Sequence, residues 1–116
     1  MERIIVYEKP TCTTCRKTVK LLIEKGYDFD RINYYVKPFT KNKLKTLLKK
    51  MGLQPSELLR KNESAYKELD MKNKIYTESE LLEKMIANHD LVQRPIVEIG
   101  DKAVLARPIE KIEEIF

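Results

Sequence analysis

Apolar positions along the chain follow two kinds of pattern: short runs of a few residues, and longer stripes at helical spacing. Residues 3 to 7, Arg-Ile-Ile-Val-Tyr, form a short apolar run with β-branched side chains and predict a buried strand. From Thr13 onward Val19, Leu22 and Ile23 recur at helical spacing until Gly26 supplies a stop, which predicts a helix of about three to four turns. Residues 28 to 34 alternate polar and apolar and predict a second strand. Strand, helix and strand at this spacing predict a parallel crossover, which is almost always right-handed.

The middle of the chain carries predicted helices at Thr40 to Met51, Pro55 to Leu59, Glu63 to Leu69 and Glu78 to Asn88, the last opened by a capping box of Thr77 and Glu80. No repeat or Gly/Ser linker divides this region from its flanks, so it reads as an insertion within one domain. Near the end, Pro95-Ile-Val-Glu-Ile99 and Lys102-Ala-Val-Leu-Ala106 flank Gly100-Asp101, a two-residue hairpin signal. Pro108 then fits the first position of a closing helix that buries Ile109, Ile112 and Ile115. The expected fold is α/β with a mixed four-stranded sheet. Residues 1–35 form its strand-helix-strand unit, 36–92 the helical insertion, and 93–116 the hairpin and closing helix of a single domain.

Composition narrows the partners. No apolar run approaches the ~18 residues that cross a bilayer, and the N-terminus has neither the apolar core nor the cleavage site of a signal peptide, so no membrane partner and a cytoplasmic location are expected. A net charge of +5 favours an anionic partner, which charge alone leaves open between a small oxyanion, an acidic protein and nucleic acid. The lysines between Lys37 and Lys50 interleave with Leu44, Leu47, Leu48 and Met51, the pattern of a solvated helix face. The stretch lacks a set of aromatics suited to stacking bases, so direct nucleic-acid binding is not expected.

Only two cysteines are present, Cys12 and Cys15, and in a reducing compartment reactivity explains them better than stapling. They fall between the first strand and its crossover helix, the placement of a thioredoxin-like redox motif. Cys12 is then at the helix start and Cys15 about one turn in. A free thiol of pKa ~8.5 is only about 3% ionised at neutral pH, whereas the positive end of a helix brings it to ~7 or below. Arg16 adds positive charge nearby; Glu8 opposes ionisation if it faces the same pocket, and Lys9 offsets it. A closed zinc site needs four ligands and the chain offers only one further soft candidate, His89, so no metal is expected.

The hairpin register carries a second observation. With Gly100-Asp101 as the turn, Ile99 pairs with Lys102, and counting back places Arg94 opposite Arg107 at the open end. Like charges across a sheet repel, so the pair belongs either in solvent or around an anion, and arginine's fork of donors suits a tetrahedral oxyanion. Arg60, which ends Glu-Leu-Leu-Arg in the insertion, reads by itself as a surface residue.

Taken together, Pro10-Thr-Cys12-Thr-Thr-Cys15-Arg16, Leu58-Leu-Arg60-Lys-Asn62 with Tyr66 and Leu69 after it, Arg94-Pro-Ile-Val97 and Arg107-Pro108 resemble the arsenate reductase family of thioredoxin-like fold, including its redox-sensing regulator branch. The resemblance spans essentially the whole chain. It implies Cys12 as nucleophile, Arg60, Arg94 and Arg107 as ligands of arsenate, and a cis peptide before Pro95 beside the cysteine. It also implies no tightly bound cofactor, with a thiol reductant as co-reactant. Two positions depart from the glutathione-dependent members, which usually carry His where this chain has Glu8 and Ser or Thr where it has Cys15. A thiol at Cys15 supplies a resolving group, so that regeneration runs either through glutathione and glutaredoxin or through Cys15 and thioredoxin. Arsenate reduction through a covalent Cys12 adduct is the expected function. The alternatives are a redox-switch regulator that binds RNA polymerase, and a general thiol-disulfide oxidoreductase with no oxyanion substrate.

Overall fold

The computed structural model describes residues 3–9, 11–61, 66–67 and 75–116. Four strands, β1 (Ile4–Glu8), β2 (Phe29–Asn33), β3 (Ile96–Ile99) and β4 (Lys102–Leu105), form one sheet in the order β2-β1-β3-β4. β1 and β2 are parallel, as the crossover predicts, while β3 runs antiparallel to both β1 and β4. The mixed four-stranded sheet of a thioredoxin-like fold is therefore present. The hairpin register is the one read from the sequence, with Ile99 opposite Lys102 and Ile96 opposite Leu105.

The chain divides into two compact units, residues 1–37 with 94–116, and residues 38–93. In the first, α1 (Thr13–Glu24) crosses between β1 and β2. Its end is a Schellman arrangement: Gly26 sits at φ 76, and Tyr27 N–H donates to Leu22 O at 3.1 Å. Only a residue free of a Cβ takes that backbone conformation at no cost, which is why the helix stops here. Ile4 and Val6 of β1, Leu22 of α1, Val97 of β3, Val104 and Ala106 form the buried core together with Ile112.

Ile112 belongs to a closing segment that differs from expectation. Residues Ile109–Ile115 form a 3-10 helix in place of an α-helix, and Pro108 is its N-cap after a cis peptide from Arg107. The spacing of the isoleucines explains the difference. Ile109, Ile112 and Ile115 recur every third residue, and three residues per turn aligns them on one face, whereas 3.6 would splay them. Ile112 is fully buried and its two neighbours in the stripe are half-buried. Lys25 meets Glu113 at 3.0 Å, and Tyr27 stacks on Phe116 at 4.7 Å, which ties this segment to the region after α1.

The second unit contains α2 (Lys41–Met51), α3 (Pro55–Leu58) and α4 (Glu78–Ala87). The α2 lysines frame a buried stripe of Leu44, Leu47 and Leu48, the solvated face that the pattern predicts. Thr77 and Glu80 make the expected capping box, with Glu80 N–H on Thr77 Oγ1 at 3.1 Å and Thr77 N–H on Glu80 Oε1 at 3.0 Å. The helix predicted around Glu63 to Leu69 lies outside the described residues except for Tyr66 and Lys67, which are helical. Among the described residues no helix is long and apolar enough to cross a membrane.

Candidate active site

Because β1 and β2 are parallel, both strands end on the same side of the sheet, and the loops that leave them are neighbours. After Glu8 the chain turns through a hydrogen bond from Cys12 N–H to Lys9 O at 2.9 Å and enters α1. Cys12 is the N-cap of that helix, in extended conformation, and its sulfur accepts the Cys15 N–H at 3.3 Å. The sulfur thereby takes the place of the hydroxyl or carboxylate that usually satisfies an open helix N–H.

Arg107 Nη2 lies 3.7 Å from Cys12 Sγ, and Arg107 Nε donates to Arg94 O at 2.5 Å. Arg94 is 6% exposed. Its guanidinium is held by the Tyr34 hydroxyl and by Tyr35, whose hydroxyl is 3.4 Å from Nη1 and whose ring centre is 5.9 Å from Cζ. Arg94 Nε is buried and has no hydrogen-bond partner among the described residues. Lys9 Nζ also sits over the Tyr35 ring, 4.6 Å from its centre.

The two thiols are polarised in opposite directions. Burial pushes the Cys12 thiol up, but hydrogen bonds from the Cys15 thiol and backbone, with the charges of Arg94 and Arg107, outweigh it and leave Cys12 below the ordinary thiol range. Cys15 is pushed up to about 12 by burial, by its hydrogen bond to Cys12, and by the negative charges of Cys12 and Glu8. Of the two sulfurs, Cys15 therefore holds its proton more tightly than Cys12.

Of the residues singled out from sequence, Cys12, Cys15, Arg94 and Arg107 come together. The Arg94–Pro95 peptide is cis, and Pro95 is buried at the head of β3. Arg16 is exposed on α1, and its N–H closes the first helical turn onto Cys12 O at 3.1 Å. Arg60 belongs to the second unit, beside the bridge between Leu59 and Val92, where its N–H donates to Leu91 O at 2.7 Å. Glu8 does not act alone as a negative charge, because Arg31 engages both its oxygens at 2.7 and 3.1 Å. Tyr34, Tyr35 and Arg31 were not singled out from sequence. The signal that finds Tyr34 and Tyr35 is the parallel pairing itself, which sets residues after β2 beside those after β1; Arg31 lies within β2, opposite Val6. Among the described residues no three His, Cys, Asp or Glu side chains gather to hold a metal ion.

The family model for the ArsC family matches residues 7–115. An arsenate reductase of Haemophilus influenzae is 34% identical over 113 residues, covering 97% of each chain. The uncharacterized protein YfgD of Escherichia coli is 35% identical over 115 residues, covering 98% of this chain and 97% of its own. Among solved structures, an arsenate reductase from Vibrio cholerae superposes with a TM-score of 0.92 at 29% identity, covering 99% of this chain and 98% of that one. A match across nearly the whole length, on a thioredoxin-like sheet with the cysteine at its crossover, places this chain in the ArsC family of arsenate-reductase-like proteins.

Proposed function

We propose that the protein reduces arsenate to arsenite with Cys12 as nucleophile and Arg94 and Arg107 as oxyanion ligands. The observation that carries this reading is a buried, low-pKa sulfur with one guanidinium at 3.7 Å and a second whose buried Nε is an unused donor. An unpaired buried donor is costly, and a bound oxyanion would satisfy it. In the reaction the Cys12 thiolate forms a bond to arsenic, and one arsenate oxygen leaves as water after protonation. Arg94 and Arg107 neutralise the remaining oxygens as charge builds on them. A second thiol then attacks the Cys12 sulfur, the sulfur–arsenic bond breaks with its electron pair staying on arsenic, and arsenite departs. Two sulfurs are oxidised to a disulfide as arsenic gains two electrons, and an external dithiol clears the disulfide. Cys15, hydrogen-bonded to Cys12, supports an internal second thiol and a thioredoxin- or glutaredoxin-type donor. The test is arsenate-dependent thiol oxidation, run in parallel with glutathione plus glutaredoxin and with thioredoxin. Turnover with either donor is expected; no turnover with any donor would refute the reading in favour of a redox-switch regulator.

A further inference from the structure

Glu8 is 2% exposed, an unusual place for a carboxylate, and the chemistry above does not use it. Strand alternation explains where it points. Ile4, Val6 and Glu8 share one face of β1, and Ile4 and Val6 pack with Leu22 of α1, so Glu8 continues that face to the strand's end, where α1 begins. Cys15, Val19 and Leu22 are buried positions of α1 separated by four and three residues, so Cys15 lies on the inward stripe above the same strand end. It is fully buried. Arg31 of β2 pins the carboxylate from beside it while its own side chain stays half exposed. The charge of Glu8 bears on Cys15, and that of a Cys15 thiolate on Arg31. From β3 this face receives Val97 and Ile99, which carry no charge; the Lys9 backbone hydrogen-bonds to Cys15, and Cys12 beside it is acted on in turn by Arg94 and Arg107.

A thiol sealed from water needs somewhere to send its proton before its sulfur can attack. While Cys12 is a thiolate it shares the Cys15 proton by hydrogen bond; once the Cys12 sulfur is covalently bound, that acceptor is lost. We propose that Glu8 takes the proton of Cys15 as Cys15 resolves a covalent bond at Cys12, with Arg31 orienting the carboxylate and connecting it to solvent. The Cys15 S–H bond breaks with its proton going to Glu8, and the sulfur's electron pair forms the bond to Cys12. The group leaving Cys12 departs with the electron pair of the broken bond, so it is reduced by two electrons while the two sulfurs become a disulfide. Glu8 then returns the proton to water.

This proposal rests on the reading that Cys15 is the resolving thiol, and its test needs no arsenate, so the two fail separately. Dithiobis(nitrobenzoate) reacts with Cys12 and releases one nitrothiobenzoate; attack by Cys15 on the mixed disulfide releases a second. In the unmodified protein the second phase is expected to stay near level between about pH 6 and about pH 8, because the base is supplied internally. A thiol ionised only by solvent would instead accelerate about tenfold for each pH unit in that range, and that result would overturn the proposal alone, whereas release of a single equivalent would overturn it together with the reading of Cys15 as the resolving thiol. Glu8→Gln, which keeps an oxygen for Arg31, is expected to retain the first phase and slow the second by about a hundredfold near neutral pH, with recovery as pH rises. A second phase equally fast or faster in Glu8→Gln means that the carboxylate merely repels the Cys15 thiolate, and the proposal falls. Should Glu8→Gln lose the first phase, the pH profile of the unmodified protein decides alone.

Discussion

Arg107 uses one nitrogen on the Arg94 carbonyl and another on the Cys12 sulfur, so the backbone of one arginine fixes the side chain of the other. Arg94 in turn both lowers the Cys12 thiol and presents an unused donor. These two roles separate by substitution. Arg94→Ala is expected to lose about 2.7–4 kcal/mol of transition-state stabilisation, about a hundredfold to a thousandfold in kcat, and to raise the pH midpoint of Cys12 alkylation, since one charge favouring the thiolate is gone. Arg94→Lys keeps the charge but not the fork, so the alkylation midpoint returns toward that of the unmodified protein while turnover stays low. Unchanged arsenate turnover in Arg94→Ala would remove the arginine from the mechanism. Much of this site was legible at residue level: the two cysteines from their spacing, the two arginines from hairpin register. Tyr34 and Tyr35, in the loop after β2, and Arg31, within β2, were not, because a strand's own alternation does not say which residues of its neighbour will meet it.

At the scale of elements, local chemistry decided most boundaries. Gly26 and the Thr77–Glu80 box delimit helices where the sequence predicts, because caps act within a few residues and owe little to the rest of the chain. The closing segment shows what periodicity leaves out. A three-residue spacing keeps all three isoleucines on one line only at three residues per turn, and the middle one, Ile112, packs into the sheet core. Removing that anchor is a direct check: Ile112→Ala is expected to cost about 2–5 kcal/mol, read as a lower urea midpoint with unchanged slope. A loss well below about 1 kcal/mol would mean that the segment contributes little to the core.

For the molecule as a whole, the net charge of +5 acts at longer range than any one side chain. If the substrate is an oxyanion, added salt is expected to lower kcat/KM for arsenate through slower association, with a smaller effect on kcat, since exposed charges are screened beyond a Debye length of ~8–10 Å. A kcat/KM insensitive to ionic strength would count against steering. The first unit is assembled from both ends of the chain, 1–37 and 94–116. Tyr35 is thus nearly the last residue before the chain departs and Arg94 the first on its return, and the two touch, hydroxyl to guanidinium, at 3.4 Å. The long excursion from Pro38 to Gln93 is therefore cinched at its neck. Residues added within that stretch lengthen a path whose two ends stay fastened to each other by this one contact, on the cysteine's side of the chain.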